Sequence, residues 1–169
     1  MTRPPAEGAR RITLLALLTA IALTIFLVEA QLPVLIPIPG VKLGLANIIT
    51  VYAMFVLGPF DALLILCARV FLGAVFSGHM MTLLFSAGGG LLSWLVLLLL
   101  RRLLTPGQIW LGTSVAAVFH NVGQLLVAAA VLRSWAVMAW LPYLLAGAAA
   151  AGLFTGLCAQ FLIARLARR

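Results

Sequence analysis

The residues best placed for chemistry are a few polar groups set inside apolar runs. Arg69 interrupts the run from Phe60 to Val75, and His120, Asn121 and Gln124 interrupt the run from Ile109 to Leu132. Positions 120 and 124 are one helical turn apart, and 121 and 124 are three residues apart, so on a helix the three polar groups share a face. Ala117 and Thr113 continue that face with small side chains. Such a stripe in an apolar helix turns towards a bundle interior, where it binds a ligand or hydrogen-bonds to neighbouring helices. Arg69 lies eight residues beyond Asp61, which is roughly 12 Å into a hydrocarbon core of about 30 Å. Its charge requires a carboxylate, backbone carbonyls or an anionic ligand, and Glu29 is the candidate for an internal pair. Asn47 and Thr50 repeat the pattern on a smaller scale. Just before them, Gly40-Val-Lys42-Leu-Gly44 sets a cation beside a flexible turn, either to attract an anion or as a solvated loop charge.

Other chemistries are poorly served. Three carboxylates, Glu7, Glu29 and Asp61, are spread along the chain, whereas Mg²⁺-dependent work on phosphates needs clustered acidic ligands. Cys67 and Cys158 lie far apart inside apolar stretches without metal-ligand spacing and read as small core residues. Ser86-Ala-Gly-Gly-Gly90 lacks the Lys-Ser/Thr that completes a phosphate loop and reads instead as a site of close helix approach or local unwinding. No catalytic residue, metal site or cofactor is expected.

The elements that position these residues follow from composition. Of 169 residues, 65% are hydrophobic and 8% charged, against roughly 25% charged in a soluble domain. The apolar runs are continuous, without the period-two alternation of a transmembrane β-barrel. They fall at about 12–28, 43–57, 60–75, 80–100, 109–132 and 135–164, the last long enough for an interfacial piece before Pro142 and a full span after it. The reading is an all-α polytopic membrane protein with six transmembrane helices in one domain over 12–164. Basic tails at 1–11 and 165–169 flank it. With both termini in the cytosol, Arg3, Arg10, Arg11, Arg101, Arg102, Arg165, Arg168 and Arg169 lie inside and Lys42 and Arg133 outside, the positive-inside pattern. The net charge of +8 therefore marks topology, and no nucleic-acid partner is expected. Small-xxx-small patterns, Ala16 with Ala20 and Gly152 with Gly156, allow close helix packing, the first of them within the bundle or against a partner helix.

Taken in order, Gly40-Val-Lys-Leu-Gly-Leu-Ala-Asn47, Arg69-Val-Phe-Leu-Gly73, Ser77-Gly78, Ser86-Ala-Gly-Gly-Gly-Leu-Leu-Ser93 and His120-Asn-Val-Gly-Gln124 resemble the Gx transporter family. Its members are often called heptaprenyl diphosphate synthase component I. That family is similar in size and layout to the substrate-binding S components of energy-coupling-factor (ECF) transporters. The resemblance implies an S-component-like bundle in a bacterial inner membrane that takes up a small organic substrate, an anion among the alternatives. Lys42, Asn47, Arg69, His120, Asn121 and Gln124 would bind it, and Pro37, Pro39, Gly40 and Gly44 of the first outer loop would form a lid or gate. Ala16 and Ala20 would touch a coupling transmembrane subunit served by separate ATPases, since the chain has no Walker motif. The family's other name implies a noncatalytic membrane partner of a soluble prenyl diphosphate synthase. With a single aspartate, Asp61, the chain lacks the aspartate-rich motifs of a prenyl-transferring enzyme.

Overall fold

A computed structural model describes residues 5–31, 44–78 and 80–166. Among them run six α-helices, α1 (Pro5–Gln31), α2 (Asn47–Val56), α3 (Pro59–Ser77), α4 (Met80–Leu100), α5 (Ile109–Leu132) and α6 (Leu141–Leu166), with 3₁₀ turns at Pro106–Gln108 and Trp135–Trp140. Five of the helices are long and apolar enough to cross a bilayer, which is consistent with a polytopic membrane protein that is all-helical among the described residues. The sixth, α2, has ten residues and rises only about 15 Å. It is shorter than the expected 43–57 because Gly44 adopts a left-handed φ of 67° and Leu45 and Ala46 form a turn before the helix begins. At its other end, Gly58 at φ 119° and Pro59 at the first position of α3 make a tight connection between the two helices.

The bundle closes as a ring. α5 lies between α4 and α6, α3 contacts α1, α2 and α4, and α2 joins α6 back to α1 and α3. Its centre is aliphatic, with Met54 and Ile65 fully buried, while large apolar side chains such as Phe71, Leu99, Leu132 and Phe161 face outwards. Exposed apolar surface on every long helix is the pattern expected where lipid is the solvent.

Glycines set the helix spacing on both sides of α5. A Cβ on Gly123 would lie 2.6 Å from the carbonyl oxygen of Gly88, and one on Gly89 would lie 2.7 Å from that of His120. On the other side, a Cβ on Gly152 would lie 2.7 Å from Ser114 Cα, and one on Gly156 the same distance from Trp110 Cα. α4 is helical through Gly88, Gly89 and Gly90, so the glycine run provides close approach and not unwinding.

Two expectations change. Residues 5–11, assigned to a polar tail, belong to α1. Arg11 anchors this extension, its Nε donating to both carboxylate oxygens of Asp61 at 3.1 and 3.2 Å while its Nη2 meets Oδ1. Asp61 is buried in the first turn of α3, where the helix dipole favours a negative charge. Trp94 donates from Nε1 to the carbonyl of Pro59 at 3.0 Å, which ties α4 to the same corner. Cys67, read as a core residue, is exposed. α3 buries Ile65, Leu66, Arg69 and Val70, and position 67 falls on the outward side between them.

Candidate functional site

The polar face of α5 opens onto a cavity of about 440 Å³ to which all six helices contribute. Asn47, Arg69, His120, Asn121 and Gln124, which the resemblance implies bind substrate, all line it, as does Gly44. Lys42, Pro37, Pro39 and Gly40 lie outside the described residues. Ala16 and Ala20 lie on the exposed side of α1, with Leu18 and Ala22 turned into the bundle.

The cavity lies at one end of the bundle. It takes residues from near the C-terminus of α1, the N-termini of α2 and α4, the middle of α3, the middle and C-terminal part of α5 and the N-terminal half of α6, while the Arg11–Asp61 pair occupies the opposite end. Phe26, Phe85, Leu125 and Leu144 supply apolar wall, and Gly147, Ala148, Ala151 and Gly152 of α6 leave the space. The glycine seams bring α4 and α6 close enough to α5 for its polar face to reach both.

Arg69 is 6% exposed. Its Nη2 donates to Asn47 Oδ1 at 3.3 Å, and its guanidinium carbon lies 5.9 Å from the centre of the Phe26 ring, within reach of a cation–π attraction. Its Nε is buried without a hydrogen-bond partner. The internal ion pair with Glu29 is not formed: among the described residues the one salt bridge is Arg11–Asp61. Glu29 accepts instead from the backbone N–H groups of Gly44 at 2.6 Å and Leu45 at 3.0 Å. A carboxylate suits those donors, since they lie just before a helix N-terminus with its partial positive charge.

Asn121 is buried and donates from Nδ2 to the carbonyl of Leu144 at 2.9 Å, so it braces α5 against the first turn of α6 as well as lining the cavity. Thr113, placed on the same face by spacing, donates to Ile109 O at 2.8 Å and lies below the main cavity. There a smaller void of about 30 Å³ is lined by Thr50, Ser93 and Thr113 and shares Asn47, His120 and Thr155 with the space above. The Thr50 hydroxyl is buried there without a partner. Among the described residues, no group of three His, Cys, Asp or Glu side chains converges as a metal site would require.

Spacing alone did not reveal Glu29 as the clasp on Gly44 and Leu45, nor Phe26, Thr82 and Ser86 as cavity residues. One signal was available for Glu29, a single acidic residue at the end of an apolar run. The arrangement sets a guanidinium, a carboxylate, three amides and an imidazole among apolar walls. Such a combination orients a small molecule by a few polar contacts while burying its body.

A family model described as heptaprenyl diphosphate synthase component I matches residues 18–162, which take in every described cavity residue. No curated protein and no solved structure matches the chain.

Proposed function

The chain belongs to the heptaprenyl diphosphate synthase component I family, and on that premise we propose that it is a noncatalytic membrane subunit holding a small organic molecule for uptake. One observation carries the reading: five polar residues from α2, α3 and α5, each set in an apolar run and each expected from the family resemblance to line a cavity, converge on one cavity of about 440 Å³, within the range of about 300–1,000 Å³ typical of small-molecule sites. In this reading the chain crosses a bacterial inner membrane six times, α2 making the short crossing, with both termini cytosolic. The cavity then faces outwards. As in an ECF S component, energy comes from partner subunits, and the exposed Ala16 and Ala20 face of α1 is the contact for a coupling helix.

The family's description as a synthase component favours a second reading, a membrane partner of a soluble prenyl diphosphate synthase, attached through the basic end that carries Arg10, Arg101, Arg102 and Arg165. Purification in mild detergent followed by native mass spectrometry separates the two. Co-purifying ATPase and coupling subunits with a bound small molecule support uptake, and a co-purifying prenyl synthase supports the alternative. Asn121→Ala and Gln124→Ala should each reduce the bound small molecule in the folded protein. Undiminished occupancy in both would remove the cavity from consideration as the binding site.

A further inference from the structure

We propose that the cavity selects a ligand bearing one carboxylate on a compact apolar body, seated on the Nε and Nη2 edge of Arg69; this rests on the cavity being the binding site. Nε and Nη2 lie on the same edge of the guanidinium, the edge that takes a carboxylate through two parallel hydrogen bonds. One of these atoms is buried and unpartnered, and the other has only the 3.3 Å contact from Asn47, longer than the roughly 2.7–2.9 Å of a charge-assisted bond. A buried cation normally has an ionic partner. The one described carboxylate in the cavity, Glu29, is engaged by two backbone N–H groups and makes no salt bridge to Arg69. The guanidinium therefore presents an edge that a ligand anion completes, with the Asn47 amide turning to donate to the same carboxylate.

The charge is limited to one. Among the described cavity residues Arg69 and Glu29 offset each other, so a monoanion leaves a modest imbalance, whereas a diphosphate brings two or more negative charges to a single guanidinium beside a carboxylate. Like charge in a poorly solvated site is costly. Phe26, Phe85, Leu125 and Leu144 supply walls for the apolar body.

Matched acids and amides test this without knowledge of the natural ligand. The pairs are benzoate and benzamide, phenylacetate and phenylacetamide, and indole-3-acetate and indole-3-acetamide, with geranyl diphosphate as the multiply charged probe. Each is titrated against the purified full-length protein in detergent, with binding read from thermal stabilisation. At least one acid is expected to bind about ten- to a hundredfold more tightly than its amide, as two charge-assisted hydrogen bonds imply. Arg69→Gln should abolish that preference and Arg69→Lys should retain part of it. Because the acid-to-amide ratio is measured on the unaltered protein, misfolding of a variant does not blunt the test. Amides binding as well as acids, or geranyl diphosphate binding most tightly, would overturn the charge selection while leaving the cavity as a binding site. Failure of every probe, together with native mass spectra lacking any bound small molecule, would overturn both.

Discussion

Replacing Gly123 by alanine tests the close seam between α4 and α5 directly. The added Cβ would lie 2.6 Å from Gly88 O and 3.0 Å from both Gly88 C and Gly89 Cα. All three are backbone atoms, so no side chain can turn aside. Restoring an ordinary 3.4 Å contact requires the helices to part by about 0.8 Å, and a gap of roughly 0.5–1 Å forfeits a quarter to a half of the dispersion attraction across an interface. Overpacking of this kind costs about 1–3 kcal/mol. At about 2–4 °C per kcal/mol for a chain of this size, the unfolding temperature should fall by about 2–12 °C. Intrinsic tryptophan fluorescence during thermal unfolding in detergent measures it, since Trp94 and Trp110 are both partly buried on helices of this seam. Two companions calibrate the result. Gly90→Ala meets the Leu66 side chain, Cδ1 nearest at 2.9 Å, a group that can move, and should cost less. Gly8→Ala meets nothing within 4 Å and should stabilise α1 by up to about 1 kcal/mol through helix propensity. If Gly123→Ala melts with or above the parent protein, the glycine seam is wrong, and so is the placement of His120 and Gln124 beside α4.

Further outcomes follow from other contacts. Arg11→Ala should lower the unfolding temperature by stranding the buried Asp61 carboxylate, and adding Asp61→Asn should recover part of the loss; no recovery would mean that the pair does not fix α1 to α3. Glu29→Ala removes the acceptor for two N–H groups, so hydrogen exchange measured by mass spectrometry should accelerate at Gly44 and Leu45, and unchanged exchange would refute the clasp. In a chain with Cys67 and Cys158 replaced by alanine, Arg133→Cys should react with a membrane-impermeant maleimide added to intact cells and Arg102→Cys should not; equal labelling would reject six crossings with cytosolic termini.

The sequence makes the two longest-range features unequally visible. α4 and α5 are found at the boundaries their apolar runs predict, because Arg101-Arg102 and Thr105-Pro106-Gly107 end one run and Arg133-Ser134 ends the other. The five described polar site residues are legible because an ionisable or amide group in an apolar run must face the interior. What spacing cannot convey is who partners whom. Glu29 and Arg69 look like a pair by charge, yet the carboxylate goes to backbone donors created by the turn at Gly44, a feature of φ and not of composition. The extension of α1 back to Pro5 depends on Asp61, fifty residues away from Arg11, and leaves no local signature. The α6 contribution is harder to read, because Gly147, Ala148, Ala151 and Gly152 shape the cavity by leaving space.

The two fastenings of α1 also imply an order of assembly. Its C-terminal end is held by Glu29 on Gly44, a separation of 15 residues, and its N-terminal end by Arg11 on Asp61, a separation of 50. Loop-closure entropy rises as about (3/2)RT ln n, so the longer closure costs about 1 kcal/mol more when formed from a free chain. Synthesis proceeds from the N-terminus, and the acceptor and donors of the short clasp emerge before Asp61 does. α1 is thus joined to the start of α2 while its other end still swings free. The arrival of α3 then locks that end, so the end of α1 that borders the cavity is fastened before the end that faces away from it.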